Sequence, residues 1–207
     1  MDWIPFASAA RRRYEESYGE LDERALVRKG NAAYAAALGL LMAHDGGAAD
    51  WFRMAAETWR ESWQGGESWG RPIGAVKAAL LAGDDARVEE LARWSLELGT
   101  ATASSPIGRY AGALALLALD RDVEARHVAE SLRDRDDFPR DVADALAYLS
   151  AHDVVGYVEA VESVVASFET RTEFLEDAPV ADTALVLDAL AKRRGFTESL
   201  PASPVLP

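Results

Sequence analysis

The chain has 207 residues, 49% of them hydrophobic, with 22 Lys and Arg against 35 Asp and Glu and a formal net charge of −13. That length and apolar content suffice for one sizeable core, or for about five to six helical hairpins, and the charge argues against nucleic-acid backbones and anionic membranes as partners. With no cysteine, disulfides, thiolate zinc sites, iron–sulfur ligation and a cysteine nucleophile are all excluded.

Residues 1–21 read as an N-terminal anchor. Trp3, Ile4 and Phe6 pack back on the body, Pro5 limits any helix before Ala7, and one or two helical turns over 11–18 break at Gly19. The arginine triplet Arg11-Arg12-Arg13 is followed by acidic and aromatic residues where an export signal needs an apolar run. No apolar stretch approaches the ~18 residues of a membrane span, so a soluble, cytoplasmic protein is expected.

From Asp22 the pattern is helical. Residues 22–44 carry Leu26, Ala33, Ala37, Leu40 and Leu41 at three-and-four spacing. The helix that follows buries Phe52, Ala55, Ala56, Trp59 and Trp63 and stops at Gly65-Gly66. A second hairpin opens near Pro72, turns at Gly83-Asp84-Asp85 and returns to Leu98; Ser105-Pro106 then caps a third, which turns at 120–122 and ends at Arg133. A fourth spans 142–151, turns at His152-Asp153 and continues as one long helix from Val154 to about Leu175. After Pro179 a last helix covers 180–194, and the proline-rich tail 196–207 is extended or frayed.

The turn aspartates Asp45, Asp84, Asp120 and Asp153 recur at intervals of 39, 36 and 33. Each follows a small-residue helix and precedes an amphipathic one, with Ala36, Gly39, Ala78, Ala79, Gly112, Ala115 and Ala147 permitting close helix approach. This predicts an all-α fold: a short solenoid of about four antiparallel hairpins over 22–195, with the N-terminal anchor and a C-terminal capping helix. The segments LALLALDRDVEARHVAESL and LLAGDDARVEELARWSLEL resemble the middle of a tetratricopeptide repeat, with Glu124-Ala125 and Glu89-Glu90 at the family's turn-to-helix positions. The family's first-helix tryptophan, leucine-glycine and tyrosine are not in register, and the other two hairpins match by period alone.

The segment FLEDAPVADTALVLDALAKRRG, about a tenth of the chain, resembles the closing segment of all-helical immunity proteins of polymorphic-toxin systems, the bacterial immunity family numbered forty-nine. That resemblance implies an inhibitor that binds a toxin partner.

No catalytic or cofactor motif stands out: there is no nucleophile elbow and no phosphate-binding glycine loop, and no cofactor or metal is expected. The His-Asp pairs at 44–45 and 152–153 read as helix ends rather than as a metal site. Trp69, in a glycine-flanked loop, is the tryptophan least explained by a core. Arg109 and Tyr110 lie near the start of a first helix, the side that the tetratricopeptide resemblance implies lines a groove; with Trp69 they form a candidate peptide-binding set.

The leading candidate is an acidic stripe, Glu159, Glu162, Glu169, Glu173 and Glu176, which on one continuous helix falls within a wedge of roughly 100°. Residues 159–188 hold eight carboxylates against the single Arg171, more than half of the net charge. The sequence therefore points to a non-enzymatic interaction module with a basic protein partner, an immunity-type inhibitor. The competing reading is a helical enzyme in which Glu173, Asp177 and Asp182 converge in a cleft, with or without a divalent ion.

Overall fold

The computed structural model describes residues 1–16, 22–66 and 68–207. They form ten α-helices and no strand: α1 (Trp3–Glu15), α2 (Glu23–Met42), α3 (Ala48–Glu61), α4 (Gly70–Ala82), α5 (Asp85–Glu97), α6 (Pro106–Ala118), α7 (Asp122–Arg133), α8 (Arg140–Ser150), α9 (Val154–Glu169) and α10 (Asp182–Arg193). From α1 to α9 each helix packs on the next, giving a solenoid-like stack of the four hairpins α2–α3, α4–α5, α6–α7 and α8–α9. The first helices touch one another as well, α4 with α6 and α6 with α8, and α10 lies against α9, α8 and α4. No helix among the described residues is long and apolar enough to cross a membrane.

Division of labour between the helices follows from composition. First helices are rich in alanine, leucine and glycine and are enclosed by neighbours; every residue of α6 from Tyr110 to its end is buried. Second helices keep an outer polar face. Across it, arginines of one turn or helix meet carboxylates of another: Arg53 with Asp50 and Asp84, Arg87 with Glu57 and Glu90, Arg60 with Glu90, and Arg133 with Glu130 and Asp144. Exposed pairs of this kind contribute ~0–1 kcal/mol each, so their main effect is to neutralise charge and align successive helices.

All four hairpin turns share one backbone motif. His44, Gly83, Asp120 and His152 each adopt a left-handed conformation, with φ of 54°, 66°, 55° and 55°. The following residue then donates its N–H five residues back, as Asp45 to Leu40, Asp84 to Ala79, Arg121 to Leu116 and Asp153 to Tyr148; this is the Schellman closure of a helix C-terminus. The equivalent residues are therefore Asp45, Asp84, Arg121 and Asp153, and the expected alignment through Asp120 is corrected by one position. Asp84 and Asp153 cap the next helix by accepting from the N–H of Arg87 and Gly156, both at 3.1 Å. Asp120, by contrast, occupies the left-handed position, where aspartate is tolerated because its short polar side chain bonds locally.

Three further expectations change. Helix α1 starts at Trp3, with Pro5 inside its first turn, where the missing N–H is no loss; the break read at Gly19 lies outside the described residues. Helix α9 ends at Glu169 rather than near Leu175, and residues 170–181 form a non-helical strap containing a 3-10 turn at Leu175–Asp177. The tail is extended but not frayed: Phe196 and Val205 are buried, the Ala181 N–H donates to the Val205 carbonyl at 2.8 Å, and the Ser203 hydroxyl donates to Glu169 at 2.6 Å.

Gly83 tests the turn motif. A Cβ there meets nothing within 4 Å, so only the backbone conformation resists it. Gly83→Ala is expected to cost about 1 kcal/mol, whereas Gly46→Ala, in equally open space without a left-handed φ, changes the urea midpoint little.

Candidate functional site

A concavity lies where the first helices of the stack meet α10 and the strap. It encloses about 670 Å³, within the few hundred to ~1,000 Å³ usual for ligand sites. Its lining combines Val27, Asn31 and Tyr34 of α2, Trp59 of α3, the start of α4 from Trp69 to Lys77, Ser105 and Ile107 at the start of α6, Leu175 of the strap and Asp182 of α10.

The floor is built around Trp59. Its indole is wedged between two helices that carry glycine where it passes: a Cβ on Gly30 would fall 2.7 Å from the ring, and one on Gly74 2.6 Å from it. The indole N–H donates to Asn31 Oδ1 at 3.1 Å, and Tyr34 packs against the ring at 5.1 Å between centroids. The Tyr34 hydroxyl donates to Asp182 Oδ2 at 2.9 Å, and the same carboxylate oxygen receives Lys77 Nζ at 2.6 Å. Lys77 Nζ also donates to the Thr183 hydroxyl at 3.2 Å. Arg71, nearly as buried, donates to the Ser62 carbonyl and pairs with Glu23. Both buried cations therefore have a carboxylate partner.

Burial, the largest single effect, disfavours the ammonium of Lys77, yet Asp182 and Tyr110 together outweigh it and hold the lysine pKa above its ordinary value. An amine kept charged in this way serves as a fixed cation, not a nucleophile. Burial, followed by the charge of Asp182 and the hydrogen bond to it, pushes the Tyr34 hydroxyl well above the usual tyrosine range. Behind them Tyr110, packed on Phe138, is raised chiefly by burial.

Of the aromatic and basic set expected at a groove, Trp69 lines the cavity, stacked on Trp63 at 6.0 Å. Arg109 and Tyr110 do not line it: Arg109 is half-buried and donates to the Ala103 carbonyl at 2.9 Å, and Tyr110 is 8% exposed, a core residue. Of the acidic stripe, Glu159, Glu162 and Glu169 lie exposed on the outer face of α9. Glu173 and Glu176 lie beyond the end of α9, in the strap, so the five do not form one helix face. Glu176 is bound by Arg13 at 3.1 Å. The proposed carboxylate convergence is likewise divided, since Asp182 faces Lys77 inside while Glu173 and Asp177 are exposed. Among the described residues no group of three His, Asp or Glu is placed to hold a metal ion.

Sequence reading passed over Lys77, Ile107 and Leu175. Lys77 had a usable signal: it is one of only three lysines, set inside the apolar run IGAVKAALLA. Ile107 and Leu175 carried none, because their position at the mouth depends on how α6 and the strap meet.

No family model matches the chain, and no curated protein or solved structure does.

Two predictions follow from the floor. A group whose pKa is raised on folding stabilises fully below its unfolded-state pKa and loses that contribution as pH rises. Tyr34 and Lys77 both shift upward, so Tm is expected to be flat from neutrality to about pH 9 and to fall from about pH 10. Tyr34→Phe is expected to flatten that fall in a melting series. Lys77→Met alone strands the Asp182 charge and is expected to cost about 3–5 kcal/mol, whereas combining it with Asp182→Asn should restore most of the loss, as read by urea unfolding.

Proposed function

We propose that this chain is a non-enzymatic protein-interaction module, an immunity-type inhibitor that engages a basic protein partner through the carboxylates at the C-terminal end of its stack. The supporting observation is where charge is left uncompensated. On the outer face of the first three hairpins, Asp50, Glu57, Asp84, Glu89, Glu90, Glu124 and Glu130 each meet an arginine, while Asp45, Glu61 and Glu97 are exposed without an ion pair and lie scattered over separate elements. Among the described residues no ion pair holds Glu159, Glu162, Glu169, Glu173 or Asp177, all of them exposed. An acidic field concentrated in one region speeds encounter with a cationic surface and sets orientation. A toxin acting on a polyanion supplies such a surface.

The test is affinity capture from the native host, followed by association rates across ionic strength with the captured protein. Charge reversal at Glu159, Glu162 and Glu173 is expected to slow association about tenfold or more at low salt and to flatten its salt dependence. Reversal at Glu57 and Glu89 should do neither. Capture of an acidic partner, or rates indifferent to both sets, overturns the reading.

A further inference from the structure

The cavity above Trp59 and the acidic strap are parts of one surface. Leu175 lines the mouth, and within the strap it is flanked by Glu173 on one side and by Glu176 and Asp177 on the other. Leu175 of the strap and Ile107 of α6, which both line the cavity, are 53% and 45% exposed, two of only six large apolar side chains exposed among the described residues. Val27, Trp69 and Ile73 add apolar surface to the same lining.

Inside, the charges are mutually satisfied. Lys77 is paired with Asp182, and Arg71 with Glu23, so the floor holds no uncompensated charge that calls for an oppositely charged tip. In the strap on either side of Leu175 the balance differs: Glu176 pairs with Arg13, but Glu173 and Asp177 are exposed and held by no ion pair among the described residues. An occupant matching both levels is apolar where it enters and cationic where it crosses the strap.

We propose that the cavity receives a short apolar stretch of the basic partner, inserted between Leu175, Trp69 and Ile107, with Lys or Arg residues on its flanks meeting Glu173 and Asp177. This rests on the interaction-module reading and adds the place and the sequence chemistry of the contact. The apolar insertion supplies the slow-dissociating anchor and the rim supplies orientation. The volume of about 670 Å³ holds several side chains rather than one.

The experiment uses the full chain and three synthetic peptides sharing a Leu-Phe-Leu centre, flanked by lysine, by glutamate or by serine, with binding read by fluorescence polarisation. The lysine-flanked peptide is expected to bind about tenfold or more tighter than the glutamate-flanked one, a difference of ~1.4 kcal/mol. Leu175→Glu and Ile107→Glu, at exposed positions that leave the core intact, should each weaken it by a similar factor. Glu173→Lys with Asp177→Lys should abolish the preference among flanks while leaving serine-flanked binding in place. Equal binding of all three peptides overturns the cationic flanks, and loss of binding to none of the variants overturns the site. If no peptide binds while charge reversal on α9 still slows the captured partner, this inference fails and the interaction-module reading stands. If both fail, the reading falls with it.

Discussion

The placement of Trp59 between Gly30 and Gly74 is the contact on which the rest of the molecule depends. An indole buries ~150–250 Å², and here it does so across two helices at once, because neither presents a Cβ at the crossing. The ring therefore sets the separation of α2 and α4, the first helices of two successive hairpins. The same indole lines the cavity. Asn31 fixes the ring's orientation through its N–H, and Tyr34 packs against its face. From Tyr34 the contact chain runs to Asp182, then to Lys77 and Thr183, so the position of α10 is keyed to the same indole.

That coupling explains a buried ion pair in a stack that hydrophobic packing would otherwise hold. A buried pair is a weak source of stability, since desolvation offsets most of the attraction. It is a strong source of register, because any docking of α10 that separates the charges leaves both unpaired in a low dielectric. The far end of α10 repeats the device: the Arg194 side chain, 3% exposed, pairs with Asp122 and donates to the Leu117 carbonyl at 2.7 Å. With both ends fixed by charge, the apolar face of α10, Val186, Leu187 and Leu190, has a single seat.

What the sequence disclosed was local. Hairpin turns were readable because helix stops and caps depend on a few adjacent residues, and the motif is regular enough that only the third copy was misaligned. The error there is instructive: Asp120 and Arg121 are both polar turn residues, and only the backbone shows that aspartate takes the left-handed place while arginine takes the capping place of Asp84 and Asp153. The end of α9 was unreadable for a related reason. Residues 170–178 contain no glycine or proline, yet Arg171 folds over the Phe168 ring at 3.7 Å and Glu176 and Asp177 adopt left-handed conformations. The helix therefore stops without a breaker residue at its end, and the strap that follows is held by Glu176 pairing with Arg13. The cavity was least legible of all, because its lining comes from five helices and the strap.

The end of α9 also changes the meaning of the acidic residues. On one continuous helix they would form a single stripe on one face. Divided between a helix face and a strap that reaches the cavity, they become two surfaces with different neighbours. Glu159 and Glu162 face solvent on α9, where they add to the acidic field without bordering the cavity. Glu173 and Asp177 stand beside an exposed leucine, where carboxylates that only aid solubility have no reason to gather. Pairing elsewhere sharpens the contrast: along three hairpins arginine meets most of the exposed carboxylates, whereas in the strap only Glu176 is paired, with Arg13. More than half of the −13 net charge thus falls within residues 159–188, in the last helices and the strap whose Leu175 lines the cavity.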